Sequence, residues 1–165
     1  MKTPSAQISV LTDETCACIR MVGRASVSSG VEFKLLLEEL RRRGNKRVVL
    51  DLSECTNMDS TIQGLLAGFA QKLRAEGGTI ALYRPNERIV ESLDTLAVLP
   101  LFQRTDSTIA EGTAHAGERT QATREETTRT CLEAHETLMA LDPANVARFK
   151  DVTTFLAEDL KKLKG

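Results

Sequence analysis

The chain has 165 residues, a length that suits one domain with an appendage, and its 41% apolar share is enough for one buried core. Its 22 basic and 23 acidic side chains nearly cancel, so no overall field draws it to nucleic acid or to an anionic membrane. No segment reaches the ~18 consecutive apolar residues of a membrane span, and the N-terminus has no apolar leader-type stretch.

In chain order, residues 8–11 and 16–22 are short β-type runs separated by Thr12-Asp13-Glu14-Thr15, which predicts a hairpin. Residues 23–30 form a polar loop rich in Ser and Gly. A helix follows over 31–43, with Val31, Leu35 (or Phe33 and Leu36) and Leu40 at helical spacing and Gly44-Asn45 as its stop. Its basic end, Arg41-Arg42-Arg43, offsets the helix macrodipole and reads as a solvated terminus. Residues 47–52 are a compact run of the kind found in a strand covered on both faces. A second helix over 61–76 carries the stripe Ile62, Leu65, Leu66, Phe69 and Leu73 and stops at Gly77-Gly78. A strand at 79–83, a helix at 87–96 and an apolar strand or turn at 98–102 complete the alternation. The order predicts an α/β fold, a mixed sheet with helices packed against it, over residues 1–103.

The composition changes at Arg104. Residues 105–130 hold few large apolar side chains, so 104–130 reads as a polar linker or solvated helix. Order returns with Cys131, Leu132, His135, Leu138, Met139 and Leu141 at helical spacing. Asp142-Pro143 is a capping carboxylate followed by proline at the first helical position. Val146, Phe149, Val152, Leu156, Leu160 and Leu163 continue the periodicity, so residues 131–165 read as a C-terminal extension built from a helical hairpin over 131–163.

The chemistry gathers where the run 47–52 empties through Ser53-Glu54-Cys55-Thr56-Asn57-Met58 into Asp59-Ser60-Thr61 at a helix start. Backbone N–H groups there lack partners and welcome a negative group. A hydroxyl at that point can act as a phosphorylation switch, since a phosphoryl group adds roughly −1.5 to −2 charges. The same residues also fit a purely structural role. Ser60-Thr61-Ile62-Gln63 matches the capping box, in which the hydroxyl accepts from a helical N–H and the glutamine reaches back; Asp59 is the alternative cap.

This stretch, Asn57-Met58-Asp59-Ser60 after the Asp51-Leu52 strand, resembles the signature of the STAS family, the anti-sigma-factor-antagonist fold of bacteria, whose turn usually reads Met-Asp-Ser-Ser-Gly-Leu-Gly. The resemblance spans about residues 8–102. It implies a STAS-like mixed sheet with helices packed against it. Position by position, Ser60 matches the phosphoacceptor, Asp59 the acid before it and Gly64 the second glycine. Ile62 stands where the family commonly has glycine. Ser60, with Thr61 as the alternative, is therefore the candidate phosphorylation site, and Asn57, Met58, Asp59, Ser60, Thr61 and Gln63 are the candidate partner-binding residues. The resemblance implies a non-catalytic partner switch whose unmodified form binds an anti-sigma factor with serine-kinase activity. Phosphorylation would break that complex.

A competing reading makes the chain an assembly subunit, with the hairpin 131–163 driving self-association and Ser60 serving only as a cap. The extension could equally add a partner surface, lock a dimer or cover the regulatory face. Cys16, Cys18, Cys55 and Cys131 contain no C-x-x-C pair, so reduced thiols in a cytoplasmic protein are expected, with no metal and no cofactor. Cys55 reads as a buried small residue. Of the two histidines, one of His115 and His135 is expected to be exposed and the other packed or on the surface. No nucleophile–base order, paired-carboxylate spacing or phosphate-cradling glycine loop suggests an enzyme.

Overall fold

The computed structural model describes residues 6–14, 16–108, 113–116 and 121–165. Two strands, β1 (Gln7–Thr12) and β2 (Ala17–Ala25), form the expected antiparallel hairpin. A one-turn 3-10 helix (Val27–Ser29) leads into α1 (Gly30–Arg42). β3 (Arg47–Met58), α2 (Ser60–Ala75), β4 (Thr79–Tyr83) and α3 (Glu87–Thr95) follow. A second 3-10 turn (Leu99–Leu101) and β5 (Gln103–Thr105) close this part. Then come β6 (Thr113–Ala116), α4 (Arg124–Leu141) and α5 (Pro143–Lys164).

The sheet runs β5-β4-β3-β2-β1-β6. β2, β3, β4 and β5 are parallel, whereas β1 lies antiparallel to both β2 and β6, so the sheet is mixed as the alternation predicted. Only one face of its centre is sealed: on the other, Arg20 is exposed and Val49 and Ala81 are half-buried, so the cover on both faces expected of residues 47–52 is not found. Ile19, Met21, Leu50, Leu52 and Leu82 are fully buried and share one cluster with Ile62, Leu66 and Leu73 of α2 and Ile89 and Leu93 of α3. Gly77, at φ 83, supplies the left-handed turn that stops α2.

Several local expectations are corrected. β3 does not end at Leu52 but runs to Met58, because β2 continues beside it as far as the Ala25–Met58 pair. The polar loop expected at 23–30 is therefore partly strand. In α1 the buried stripe is Phe33, Leu37 and Leu40, while Leu35 faces solvent. The first hairpin helix begins at Arg124, not 131, started by a capping box between Thr123 and Glu126. Its early turns are solvated on one side only, with Arg124 and Glu126 exposed and Thr128 and Thr130 buried. Along α5 the inward positions are Asn145, Phe149, Thr153 and Leu156, and Val146 and Val152 point outward. The parts of the expected linker at 109–112 and 117–120, and the side chain of His115 on β6, lie outside the described residues.

The C-terminal helices are not held at a distance. Leu138 of α4 is fully buried in the same cluster as the sheet and α2, with Leu141 and Phe149 packed against it. Asn145, at the first turn of α5, donates from Nδ2 to the Leu96 carbonyl (2.9 Å) and to the Leu138 carbonyl (2.8 Å). Among the described residues no helix is long and apolar enough to cross a membrane.

Candidate functional site

β3 delivers its last residue, Met58, into the interior, and the chain turns at Asp59 into α2. Asp59 is the N-cap, with extended backbone. Its Oδ1 accepts from the Ile62 N–H at 3.0 Å and its Oδ2 from the Val27 N–H at 2.7 Å. One carboxylate thus satisfies the start of α2 and the turn before α1, in a role worth about 1 kcal/mol for the cap alone. This corrects the capping-box reading of Ser60 and Gln63. Ser60 already has its place in the first turn, and Gln63 does not reach back: its Nε2 donates to the Met58 carbonyl (3.2 Å) and to Ser92 Oγ (2.6 Å), tying α2 to β3 and α3. Asn86, the N-cap of α3, braces the same turn by donating to the Cys55 and Thr56 carbonyls.

Relieved of capping, the Ser60 hydroxyl points at α4. Its Oγ is 2.9 Å from His135 Nε2. His135 Nδ1 lies 2.6 Å from the carbonyl oxygen of Cys131, one turn back on α4. A carbonyl can only accept, so Nδ1 carries the ring proton, Nε2 offers a lone pair, and the Ser60 hydroxyl donates to it. Phe149 of α5 packs edge-on against the imidazole at 4.9 Å and fixes the ring from behind. Beside this pair, Thr61 Oγ1 lies 3.3 Å from Cys131 Sγ, which is 3.5 Å from His135 Nδ1.

The electrostatics follow from these contacts. Burial disfavours a charged His135, but its hydrogen bonds to the Cys131 thiol and carbonyl outweigh that and raise its pKa above the ordinary histidine value. Burial likewise opposes ionisation of Cys131, yet His135 and Thr61 overcome it and lower its pKa. Cys16 and Cys55 go the other way, pushed up chiefly by burial. Cys55 is a packed thiol donating to the Asn57 carbonyl at 3.4 Å, as its position before the turn suggested.

Of the six residues read as a partner face, Asn57, Asp59 and Ser60 are half-buried, and Met58, Thr61 and Gln63 are buried. Thr61, the second candidate for modification, lies beneath α4. The residue that sequence reasoning missed is His135. Its one local signal was the spacing Cys131-x-x-x-His135, which puts a thiol and an imidazole on one helical face. Among the described residues no three His, Cys, Asp or Glu side chains gather as a metal ion would need.

Comparison with known proteins places this geometry in context. The family model of the STAS domain matches residues 7–112. Among solved structures the chain is similar to the anti-sigma factor antagonist SpoIIAA in its unphosphorylated form, at 16% identity, covering 61% of this chain and 87% of that one with a TM-score of 0.53. The phosphorylated form of the Bacillus cell fate determinant SpoIIAA matches at 17% identity over 61% and 90%, with a TM-score of 0.50. The Thermotoga maritima protein TM1081 matches at 19% identity over 64% and 86%, with a TM-score of 0.55. At such identities the likeness is one of fold. No curated protein matches the sequence. α4 and α5 lie beyond the matched residues 7–112.

Proposed function

Because the chain belongs to the STAS domain family, we propose that it is a non-catalytic cytoplasmic signalling module, a partner switch of the anti-sigma-factor-antagonist kind controlled by phosphorylation of Ser60. The observation that carries this reading is a hydroxyl released from capping by Asp59 and set in the first turn of α2, half-exposed at the positive end of a sixteen-residue helix. The partner would be an anti-sigma factor with serine-kinase activity. In the transfer the Ser60 Oγ–P bond forms, the bond from the γ-phosphorus of a nucleoside triphosphate to its diphosphate leaving group breaks, and the hydroxyl proton passes to a base of the kinase. The product dianion stands next to the Asp59 carboxylate. A partner docked over both would have to desolvate two like charges, which breaks the complex.

The test is mass spectrometry of the protein isolated from its own cells, followed by binding of the kinase partner to Ser60→Ala and Ser60→Asp. A phosphate on Ser60, with Ser60→Asp binding at least about tenfold more weakly than Ser60→Ala, supports the switch. No phosphate there and equal affinities reject it.

One observation favours the assembly reading. On α5, Phe155 is 66% exposed and Val152 42%, an apolar pair facing outward from the hairpin. If α5 joins copies, the full chain sediments as a dimer or larger and Phe155→Asp returns it to a monomer. A wild-type chain that sediments as a monomer at micromolar concentration discards that reading.

A further inference from the structure

The C-terminal hairpin lies over one side of the face that the switch would use, the side of Thr61 and Gly64. α4 approaches α2 so closely that a Cβ on Gly64 would stand 2.6 Å from the carbonyl carbon of Ala134 and 2.8 Å from its Cα. One turn on, a Cβ on Gly68 would meet the Thr137 methyl at 3.7 Å, and near the helix start the methyls of Thr61 and Thr130 both close on Gly30. The lie of α4 is set by backbone against backbone and leaves no slack for it to slide.

The two ends of this contact differ in character. Over Ser60 it is polar: Thr128, Thr130, Cys131 and His135 line it, and its ties to α2 are the Ser60–His135 and Thr61–Cys131 hydrogen bonds. Lys34 of α1 adds an exposed ion pair with Glu133 at 2.8 Å. Groups of this kind lose little when water replaces their partners. The other end is apolar and latched, with Leu138 in the core and Asn145 holding two carbonyls.

We propose that α4 is an intrachain cap on Ser60, seated while the hydroxyl is free and lifted at its polar end once Ser60 carries a phosphoryl group. The inference rests on the reading of Ser60 as phosphoacceptor. Phosphorylation removes the one proton that Ser60 donates to Nε2. It also asks for a phosphorus and three oxygens in a gap of 2.9 Å, beside a carboxylate already committed to two backbone N–H groups. α4 cannot yield by shifting sideways, because Gly64 and Ala134 already touch, so it yields by lifting. The unmodified chain covers Thr61 and Gly64 with its own helix and leaves the half-buried Asn57, Asp59 and Ser60 as the part of the face a partner docks on; the modified chain uncovers Thr61 and Gly64 as well.

The experiment uses the full chain carrying phosphoserine at position 60, introduced by genetic encoding, with amide hydrogen exchange followed by mass spectrometry. Amides of residues 124–135 are expected to exchange at least about tenfold faster than in the unmodified chain, while those of β3 keep their protection. Gly64→Ala, which forces the helices apart without adding charge, should give the same pattern. If that variant fails to fold, the phosphoserine chain decides alone. Unchanged protection of 124–135 in the phosphoserine chain, with the ring of His135 then holding the phosphate in place, overturns the inference. Because the phosphate is installed by encoding, this failure is separate from that of the switch reading, which falls if the native protein carries no phosphate on Ser60.

Discussion

Leu138→Ala is expected to destabilise the whole chain by about 2–5 kcal/mol, although the residue lies in the C-terminal extension. Leu138 is fully buried in the cluster that also contains Leu66, Leu93 and Leu96, so truncation opens a cavity in the core shared by the sheet and α4. For a chain of this size the loss corresponds to a fall in Tm of roughly 4–20 °C. Urea unfolding followed by circular dichroism should show one transition with a lowered midpoint. A two-step curve, or a change below about 1 kcal/mol, would mean that the hairpin folds as a separate unit.

The second large effect is at Asn145, 1% exposed, whose amide nitrogen serves two buried carbonyls. Its orientation is fixed by that pair, since turning the amide would set oxygen against two oxygens. Asn145→Ala takes this donor from the Leu96 carbonyl and leaves the Leu138 carbonyl only the Asp142 N–H at 3.3 Å, for a loss of roughly 1–3 kcal/mol. Asn145→Asp should be at least as damaging above the carboxylate range, because an acceptor then replaces the donor. Burial and the facing carbonyls favour the protonated acid, so the folded pKa of the new aspartate lies above its unfolded value. The folded state then binds more protons than the unfolded one, and stability falls as pH rises between the two values. Melting curves at pH 4 and pH 8 should show Asn145→Asp losing more, relative to wild type, at pH 8. A loss that does not grow with pH would show that the side chain has swung out to water.

The elements that were legible in the sequence are those whose signal is local. α2 announced itself by Ile62, Leu66, Phe69 and Leu73 at helical spacing and by the glycine that stops it, and β4 by a short β-rich run between two turns. What was hidden depends on partners far along the chain. Residues 53–58 are too polar to read as strand, and they extend because β2 lies beside them. Thr113–Ala116 has only alanines as its apolar residues and becomes a strand through its backbone pairing with β1. The first turns of α4 are rich in threonine, a weak helix former, and the capping box at Thr123 was the signal to weigh.

The site divides in the same way. That Asp59 and Ser60 stand together at a helix start follows from adjacent residues. Which of them caps is decided by the Val27 N–H, which also requires an acceptor and which a carboxylate with two oxygens can serve alongside Ile62. The imidazole opposite Ser60 arrives from the far end of the chain on a helix whose docking no local pattern records.

Gly64 carries a wider consequence. Any side chain there strikes the main chain of α4, so no compensating replacement at position 134 can make room. Two stretches remote from each other in the gene are thereby bound to one fate. Glycine is what the STAS turn usually carries at this position, so the extension docks on a bare α-carbon that the domain already offers. With α4 seated there, that bare α-carbon can no longer be exchanged, whatever becomes of the serine nearby.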